Sequence, residues 1–412
     1  MSKDHIIAGI DIGSYKIRTI IGVIDEGRPT PHIIGTGVVF SNGIRKGKIV
    51  DLKELVDNIN ASLEEAETVS GIPVQQAFIS ISNSQIASFE SKGVIAISGN
   101  EITEEDLQRA LESAKNTTPI EPGIEVIDVI AKNYFIDNGS AITNPVGLSG
   151  TRLEAFAEII TGTESALQNI KKSINQVGVE IVKMVPATIA SNTAVLTKKQ
   201  KEIGVVNIDI GSSSTGISVY EEGVLLYSGG IPVGGENVTN DIAIGTRSSI
   251  ETAEKLKIEF GDLISTNLRE EIDLAQLSEV DSGKISKKHL NEIIRARYEE
   301  IFTMVNHELK TIGKDGMLPG GIVITGGGAK IEGLEEICKN IMNLPAQIGF
   351  PCEITTVVDK INDPEYATAV GLIKYGSEFG EGGGGFDFGN VLGGFSGFGE
   401  GIGKWLKSLL PS

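Results

Sequence analysis

Two short stretches, Gly9-Ile10-Asp11-Ile12-Gly13-Ser14-Tyr15-Lys16 and Asn207-Ile208-Asp209-Ile210-Gly211-Ser212-Ser213-Ser214-Thr215, carry one pattern 198 residues apart. In each, an apolar run suited to a buried strand meets an acidic residue, a glycine and a serine. An alternating apolar segment follows, Ile17 to Val23 in the first copy and Gly216 to Tyr220 in the second. That grammar is a β-hairpin whose turn sets backbone N–H groups and one carboxylate against something charged. A single copy better suits an ordinary polar turn. Repetition at a half-chain interval predicts two related lobes. Facing turns with a carboxylate each suit a phosphate chain and its Mg²⁺: amides bind the oxygens, and hard carboxylates hold the metal through its waters.

Composition narrows the partners. At 412 residues the chain is long enough for two full cores. Its net charge of −19 argues against a nucleic-acid surface, which would repel it. Two cysteines, Cys338 and Cys352, imply no disulfide framework and fit a reducing cytoplasm. His5, His32, His289 and His307 lie far apart, without ligand spacing. The N-terminus lacks the pattern of a signal peptide, and no 18-residue apolar span occurs.

Residues 6–10, 17–24 and 32–40 predict a three-strand meander, with turns at Asp25-Glu26-Gly27 and Arg28-Pro29. Apolar positions 52, 55, 56, 59, 63 and 66 predict a helix over Leu52 to Val69, and Gln76 to Ile81 a strand. From about 84 to 162 the pattern changes to a strand at Gly93–Ile97, a helix capped by Thr103 and Asp106, and strands near 125–136 and 153–160. That piece suits a small inserted β-α-β-β subdomain. Beyond it come a helix at Glu164–Val177, a strand at Val179–Val185 and an Ala/Thr-rich helix opened by Pro186.

After the second hairpin, Gly234-Gly235 precedes a helix expected near Val238, and Ser249 caps another carrying Glu254 and Lys257. Those two, three apart, suit a solvated i,i+3 ion pair. Residues 258–286 are acidic and weakly patterned, expected to be exposed, and Lys288 to Leu309 forms a long amphipathic helix. A strand then runs into Gly326-Gly327-Gly328-Ala329, where missing Cβ atoms let a flat ligand approach the backbone. A helix is expected near Gly333. The small residues of Pro364 to Leu372 let a last helix cross the Pro186 helix closely and act as a hinge.

From Gly376 to Gly403, 13 of 28 residues are glycine, too many for a packed domain and suited to a flexible linker. In the final residues Phe398, Ile402, Trp405, Leu406, Leu409 and Leu410 fall on one helical arc, with Lys404, Lys407 and Ser408 opposite. A lone Trp beside lysines at the end of a glycine tether suits a membrane surface. Burying each large side chain is worth roughly 1.5–3 kcal/mol, and ordering each backbone unit costs about 1–2 kcal/mol. One tail therefore binds weakly, and many tails on a polymer bind well by avidity.

Taken in order, the two hairpins, the Pro/Ala helix, the triple glycine and the closing small-residue helix resemble the actin, sugar-kinase and heat-shock-chaperone ATPase superfamily. Within it the chain is similar to the FtsA family of bacterial actin-like cell-division proteins. Asn42-Gly43-Ile44-Arg45-Lys46-Gly47, Gly150-Thr151-Arg152-Leu153-Glu154-Ala155, Ile159-Ile160-Thr161-Gly162 and Asp363-Pro364 to Leu372 carry that likeness. Ser82-Asn83-Ser84-Gln85-Ile86 departs from the family's Gly-x-His, implying a local loop difference.

The resemblance implies an α/β, actin-like fold of duplicated ribonuclease H-like lobes. The first lobe would span 1–83 and 163–199, the inserted subdomain 84–162, and the second lobe 200–235 and 306–375. Residues 236–305 would form a nucleotide-capping subdomain, 376–400 the linker and 401–412 the membrane helix. It further implies that ATP and Mg²⁺ bind. Asp11 and Asp209 would face the metal through water. Gly13, Ser14, Tyr15, Lys16, Gly211, Ser212, Ser213, Ser214 and Thr215 would wrap the phosphates. Gly234 and Gly235 would lie beside the nucleotide, Glu254 and Lys257 at the ribose and base, and Gly326, Gly327, Gly328 and Ala329 at the adenine.

No carboxylate or Gln lies in Pro186-Ala187-Thr188-Ile189-Ala190-Ser191-Asn192, where the superfamily commonly positions water, so turnover is expected to be slow or absent. The expected partners are FtsZ, further copies of the chain, membrane lipids and later division proteins, at the cytoplasmic face of the septum. An actin-like pilus-assembly or rod-shape filament protein and a small-molecule kinase are the alternatives. The membrane-seeking tail disfavours the kinase.

Overall fold

A computed structural model describes residues 5–25, 28–264 and 270–380. Strand His5–Ile12 pairs antiparallel with Lys16–Asp25, setting Asp11 opposite Arg18 and Ile12 opposite Ile17. Strand Arg28–Phe40 completes the meander, beginning at the residues expected to turn. Gln76–Ile81 and Glu180–Pro186 add parallel strands on the other side, and Thr355–Thr356 joins the far edge beside Arg28–Phe40. The second sheet repeats the plan: Val224–Ile231, Thr215–Glu221, Val205–Ile210, Ile322–Thr325 and Ala346–Ile348, in that spatial order. In both, an antiparallel meander supplies three strands and two later strands run parallel to its first. The duplicated hairpins therefore sit at equivalent places in two sheets.

Helix Leu52–Ser70 buries Leu55, Ile59, Leu63 and Ala66 against the first sheet, together with Ile170 and Ile174 of helix Glu164–Gln176. The Gly71 amide closes the first helix in a left-handed conformation, the usual glycine stop. The larger second-sheet core gathers Ile208, Ile217, Ile242 and Leu256 around Tyr298, Phe302 and Leu309 of helix Lys287–Thr311.

Two helices join these layers. Ala187–Val195 leaves the first sheet and reaches the second, where Asn207 Nδ2 donates to Asn192 Oδ1 at 2.9 Å and Ser218 Oγ to the same oxygen at 2.8 Å. Ala367–Gly380 packs on the first sheet, so closely that a Cβ on Gly9 would meet Leu372 at 2.7 Å. The helices touch where Gly371 lies against the carbonyl of Ala190, a contact only glycine permits. This last helix continues through Gly380, five residues into the stretch whose glycine content predicts a linker. Gly376 explains the extension, since its bare backbone seats against Phe78 and Ile7.

The described chain divides into two compact units, residues 5–90, 120–132 and 158–377 in one and 91–119, 133–157 and 378–380 in the other. Strands Ile86–Ala96, Arg152–Thr163, Ile124–Ile136 and the two-residue Ala141–Ile142 form a four-stranded sheet in that order. In the smaller unit, helix Glu104–Thr117 has a reciprocal capping box between Thr103 and Asp106. It rests on Gly93, whose missing side chain lets the backbone of Ala110 and Ala114 approach.

Two expectations require correction. The helix placed near Val238 starts at Gly235, because the Gly235 and Glu236 amides donate to the Gly211 and Ser212 carbonyls at 2.9 and 2.8 Å. Residues 258–286 are not uniformly exposed. The ribbon Glu271–Asp273 with Lys284–Ser286 sends Ile272 into the second core, joined by neighbouring Leu274. The amphipathic residues 398–410 lie outside the described residues.

Candidate functional site

The two hairpin turns face one another across a cleft of about 1190 Å³ within the larger unit. Their tips touch, with Ser14 Oγ 2.8 Å from Ser213 Oγ. Asp11 lies on the cleft floor and accepts a 2.7 Å hydrogen bond from Ser80 Oγ, while the Ile12 amide donates to that hydroxyl. Asp209 lies opposite, accepting from Thr368 Oγ1 at 3.3 Å. Burial raises the pKa of Asp11 against the pull of Arg18 and Ser80. Burial, then the Asp11 charge, pushes Asp209 up to about 7. Two buried carboxylates that feel one another's charge favour a cation between them.

Among the described residues no group of three metal-ligating side chains occurs. Mg²⁺ takes one or two carboxylates and keeps several waters, so a carboxylate pair of this kind could hold it. The site's chemistry therefore suits a hydrated divalent ion bound together with an oxyanion.

Gly13, Ser14, Tyr15, Lys16, Gly211, Ser212, Ser213 and Ser214 line the cleft, as do Gly235, Glu254, Lys257, Gly326, Gly327 and Gly328. Thr215, Gly234 and Ala329 do not. Thr215 is fully buried and donates to the Val233 carbonyl at 2.8 Å. Gly234 lies behind the turn, its backbone against the Gly211 and Ser212 carbonyls. Ala329 faces the second core on the turn Gly327–Lys330. Each of the three glycines has a separate reason: Gly326 has a φ of +85° and abuts Asp209, Gly328 packs on Ile210, and Gly327 is open to the cleft.

Glu254 and Lys257 form the i,i+3 pair at 2.7 Å and also line the cleft. Lys257 Nζ donates further to Thr239 Oγ1 at 2.8 Å and the Gly235 carbonyl at 3.1 Å, while Thr239 bonds Glu254. The pair thus ties helix Ile250–Phe260 to the start of Gly235–Thr246. Tyr15 stacks edge-on against Phe40 with ring centres 5.4 Å apart.

Sequence reasoning missed several lining residues. Arg18 alternates inward two places after Lys16, and Glu365 and Thr368 come from the far end of the chain. Asn83 accepts from the Thr188 amide at 3.3 Å and fills the space left by Gly216 and Gly230. Tyr298 resembles any core aromatic of an amphipathic helix, yet its hydroxyl donates to the Gly328 carbonyl at 2.7 Å. Tyr298→Phe should lower stability by about 1 kcal/mol and loosen the triple-glycine turn, checked by urea unfolding and by hydrogen exchange at residues 326–330.

The family profile described as "Cell division protein FtsA" matches residues 206–371, and "SHS2 domain inserted in FTSA" matches 83–161. The cell division protein FtsA of Pseudomonas aeruginosa is 33% identical over 91% of this chain and 90% of its own length. That of Borreliella burgdorferi is 35% identical over 91% of both. The chain belongs to the FtsA family. Among solved structures, the PilM-PilN type IV pilus biogenesis complex matches with a TM-score of 0.66 at 15% identity, covering 90% of this chain and 98% of that one. MreB 5 of Spiroplasma citri bound to AMPPNP matches with a TM-score of 0.55 at 14% identity, covering 95% and 99%. At that identity these likenesses establish the fold alone, an actin-like, two-lobed α/β fold, while the inserted SHS2 domain rests on its own family profile. As an FtsA-family member the chain is a cell-division protein, and no described helix is long and apolar enough to cross a membrane.

Proposed function

We propose that the chain binds Mg·ATP between its two lobes, polymerises, and holds the FtsZ ring at the cytoplasmic membrane through its terminal amphipathic helix. The observation that carries the nucleotide half is the pair of equivalent turns, each presenting a buried aspartate to one cleft. In this reading Asp11 and Asp209 hold Mg²⁺ through water, the turn amides and Ser14 and Ser213 contact phosphate oxygens, and Lys16 offsets charge. Glu254 and Lys257 serve the ribose side, and the triple-glycine turn the base. The bound metal would supply charge neutralisation of the phosphates. The crossing of Ala187–Val195 and Ala367–Gly380 serves as the hinge for lobe closure.

Turnover is slow or absent. Thr188, Ser191 and Asn192 of the central helix are buried, with Ser191 and Asn192 tied to Asn207, which leaves no carboxylate there to activate water. FtsZ contacts fall on residues 236–305, and the inserted domain serves subunit contacts and later division proteins. The membrane residues, Phe398 to Leu410, are proposed from their pattern.

Calorimetric titration with Mg·ATP and a vesicle-pelleting assay test the two halves separately. Purified protein should bind Mg·ATP with little phosphate release and pellet with anionic vesicles, whereas a chain lacking residues 400–412 should bind nucleotide equally and stay in the supernatant. Unaltered pelleting of the shortened chain ends the membrane half. Sustained phosphate release at enzyme-like rates ends the scaffold reading.

A further inference from the structure

The acidic residue Glu365 occupies an unusual position for a site built to take an anion. It lies on the turn Pro364–Tyr366, where Asp363 Oδ1 accepts from its amide at 3.0 Å. The Gly326 amide and the Thr325 hydroxyl both donate to the Pro364 carbonyl, at 3.1 and 3.2 Å, which bolts this turn to the triple-glycine strand. From there the carboxylate reaches across to the first hairpin, meeting Arg18 at 2.6 Å and Lys16 at 3.2 Å. Lys330 stands 3.7 Å away and pairs with Asp363 at 2.6 Å.

Burial by itself would raise the pKa of Glu365. Arg18, Lys16 and Lys330 outweigh it and keep the carboxylate ionised. The buried Arg18 Nε has no acceptor among the described residues, and Arg18 Nη1 lies 3.9 Å from Asp11 Oδ2.

Lys16 and Arg18 are cations that the first turn delivers to the cleft floor beside Asp11. The N–H groups they now donate to the Glu365 carboxylate are not at the same time available to a phosphate oxygen. Both acceptors make the same kind of charge-assisted hydrogen bond to a guanidinium, and a polyphosphate brings more charge and more oxygens. We infer that Glu365 is an internal competitor of the nucleotide's phosphates, holding Lys16 and Arg18 until a polyphosphate takes them over. This rests on the nucleotide reading given above.

The exchange has a defined route outward. Glu365 precedes helix Ala367–Gly380 by two residues, so letting go of the first hairpin removes a tie between that hairpin and the start of the helix that crosses Ala190. Glu365 thereby weakens binding and reports occupancy to the closing helix. A merely structural Glu365, needed to aim the two cations at phosphate, predicts the opposite sign on binding.

Calorimetry and thermal unfolding of the full chain and of Glu365→Gln, each with Mg·ATP, with adenosine and with neither, separate the cases. The glutamine variant should melt lower without ligand. It should bind Mg·ATP about tenfold tighter, the scale of one charge-assisted hydrogen bond regained, and bind adenosine as the parent does. Equal or weaker Mg·ATP binding by the variant, with the parent binding normally, overturns the proposal alone. Failure of the parent to bind Mg·ATP overturns the nucleotide reading and this proposal with it. Should Glu365→Gln not be recovered folded, Glu365→Asp, which draws the carboxylate back by one methylene, should tighten Mg·ATP binding by a smaller factor, and no tightening overturns the proposal.

Discussion

Gly371→Ala should be among the most damaging single substitutions in the chain, costing about 3 kcal/mol or more and much of the soluble yield. Helix propensity alone predicts the reverse, since alanine stabilises a helix interior by about 1 kcal/mol over glycine. Packing decides the sign. A methyl group on Gly371 would sit inside the contact radius of the Ala190 carbonyl oxygen and close to its carbon and Cα. All three are backbone atoms of a buried helix, so none can rotate away. Overpacking of this kind costs typically 1–3 kcal/mol, and more where the neighbours are rigid.

Gly245, in helix Gly235–Thr246, supplies the control. Its added methyl would meet the flexible tip of Ile293, which can change rotamer. Gly245→Ala should therefore change the unfolding midpoint by far less. Thermal unfolding of the two variants beside the parent measures the contrast. Equal midpoints for Gly371→Ala and the parent would mean that the helices do not cross at this point.

Asp209→Asn should stabilise the protein in the absence of divalent metal while destroying its response to Mg·ATP. The folded carboxyl titrates at about 7 against an ordinary 3.8, raised first by burial and then by Asp11. A raised acid favours the folded state while protonated. Its burden is absent below the unfolded pKa, grows as pH climbs from about 4 to 7, and is complete above that. The gap of about three pH units, at about 1.4 kcal/mol each, bounds the burden at about 4 kcal/mol.

The neutral amide escapes this cost. Without metal, Asp209→Asn should melt several degrees above the parent at pH 8, with the difference closing by pH 4. With Mg·ATP at pH 8 the order should reverse, because only the parent gains stability from the bound ligand. A variant that still gained as much from Mg·ATP would remove Asp209 from the metal site. A variant less stable than the parent at pH 8 without metal would mean that the carboxylate carries no such strain.

Features encoded by nearby residues were legible before the structure was. Asp11 and Asp209 each sit in a turn whose chemistry spans nine residues or fewer, so their duplication was visible as text. Thr103 with Asp106 worked the same way, as a cap written within one helical turn. What stayed hidden depends on strand register or distant pairing. Arg18 reaches the floor because it stands opposite Asp11 in the hairpin, and Lys16 and Arg18 meet Glu365 nearly 350 residues onward. Thr215 and Ala329 are adjacent in sequence to lining residues, yet Thr215 is buried with its hydroxyl on the Val233 carbonyl and Ala329 packs in the second core. The Gly235 helix start was missed because its amides are satisfied by carbonyls of another turn instead of by a polar side chain before it.

The first sheet takes its outermost strand, Thr355–Thr356, and its covering helix, Ala367–Gly380, from the far end of the chain. During synthesis the ribosome therefore makes the rest of the first sheet before those pieces emerge. The backbone around Gly9 and Gly22, which the late helix covers, stays uncovered through most of translation. Such late closure over a long sequence separation is slow and leaves apolar surface accessible meanwhile. Nascent chains of this protein should consequently depend on holding factors longer than a protein whose halves each finish in turn.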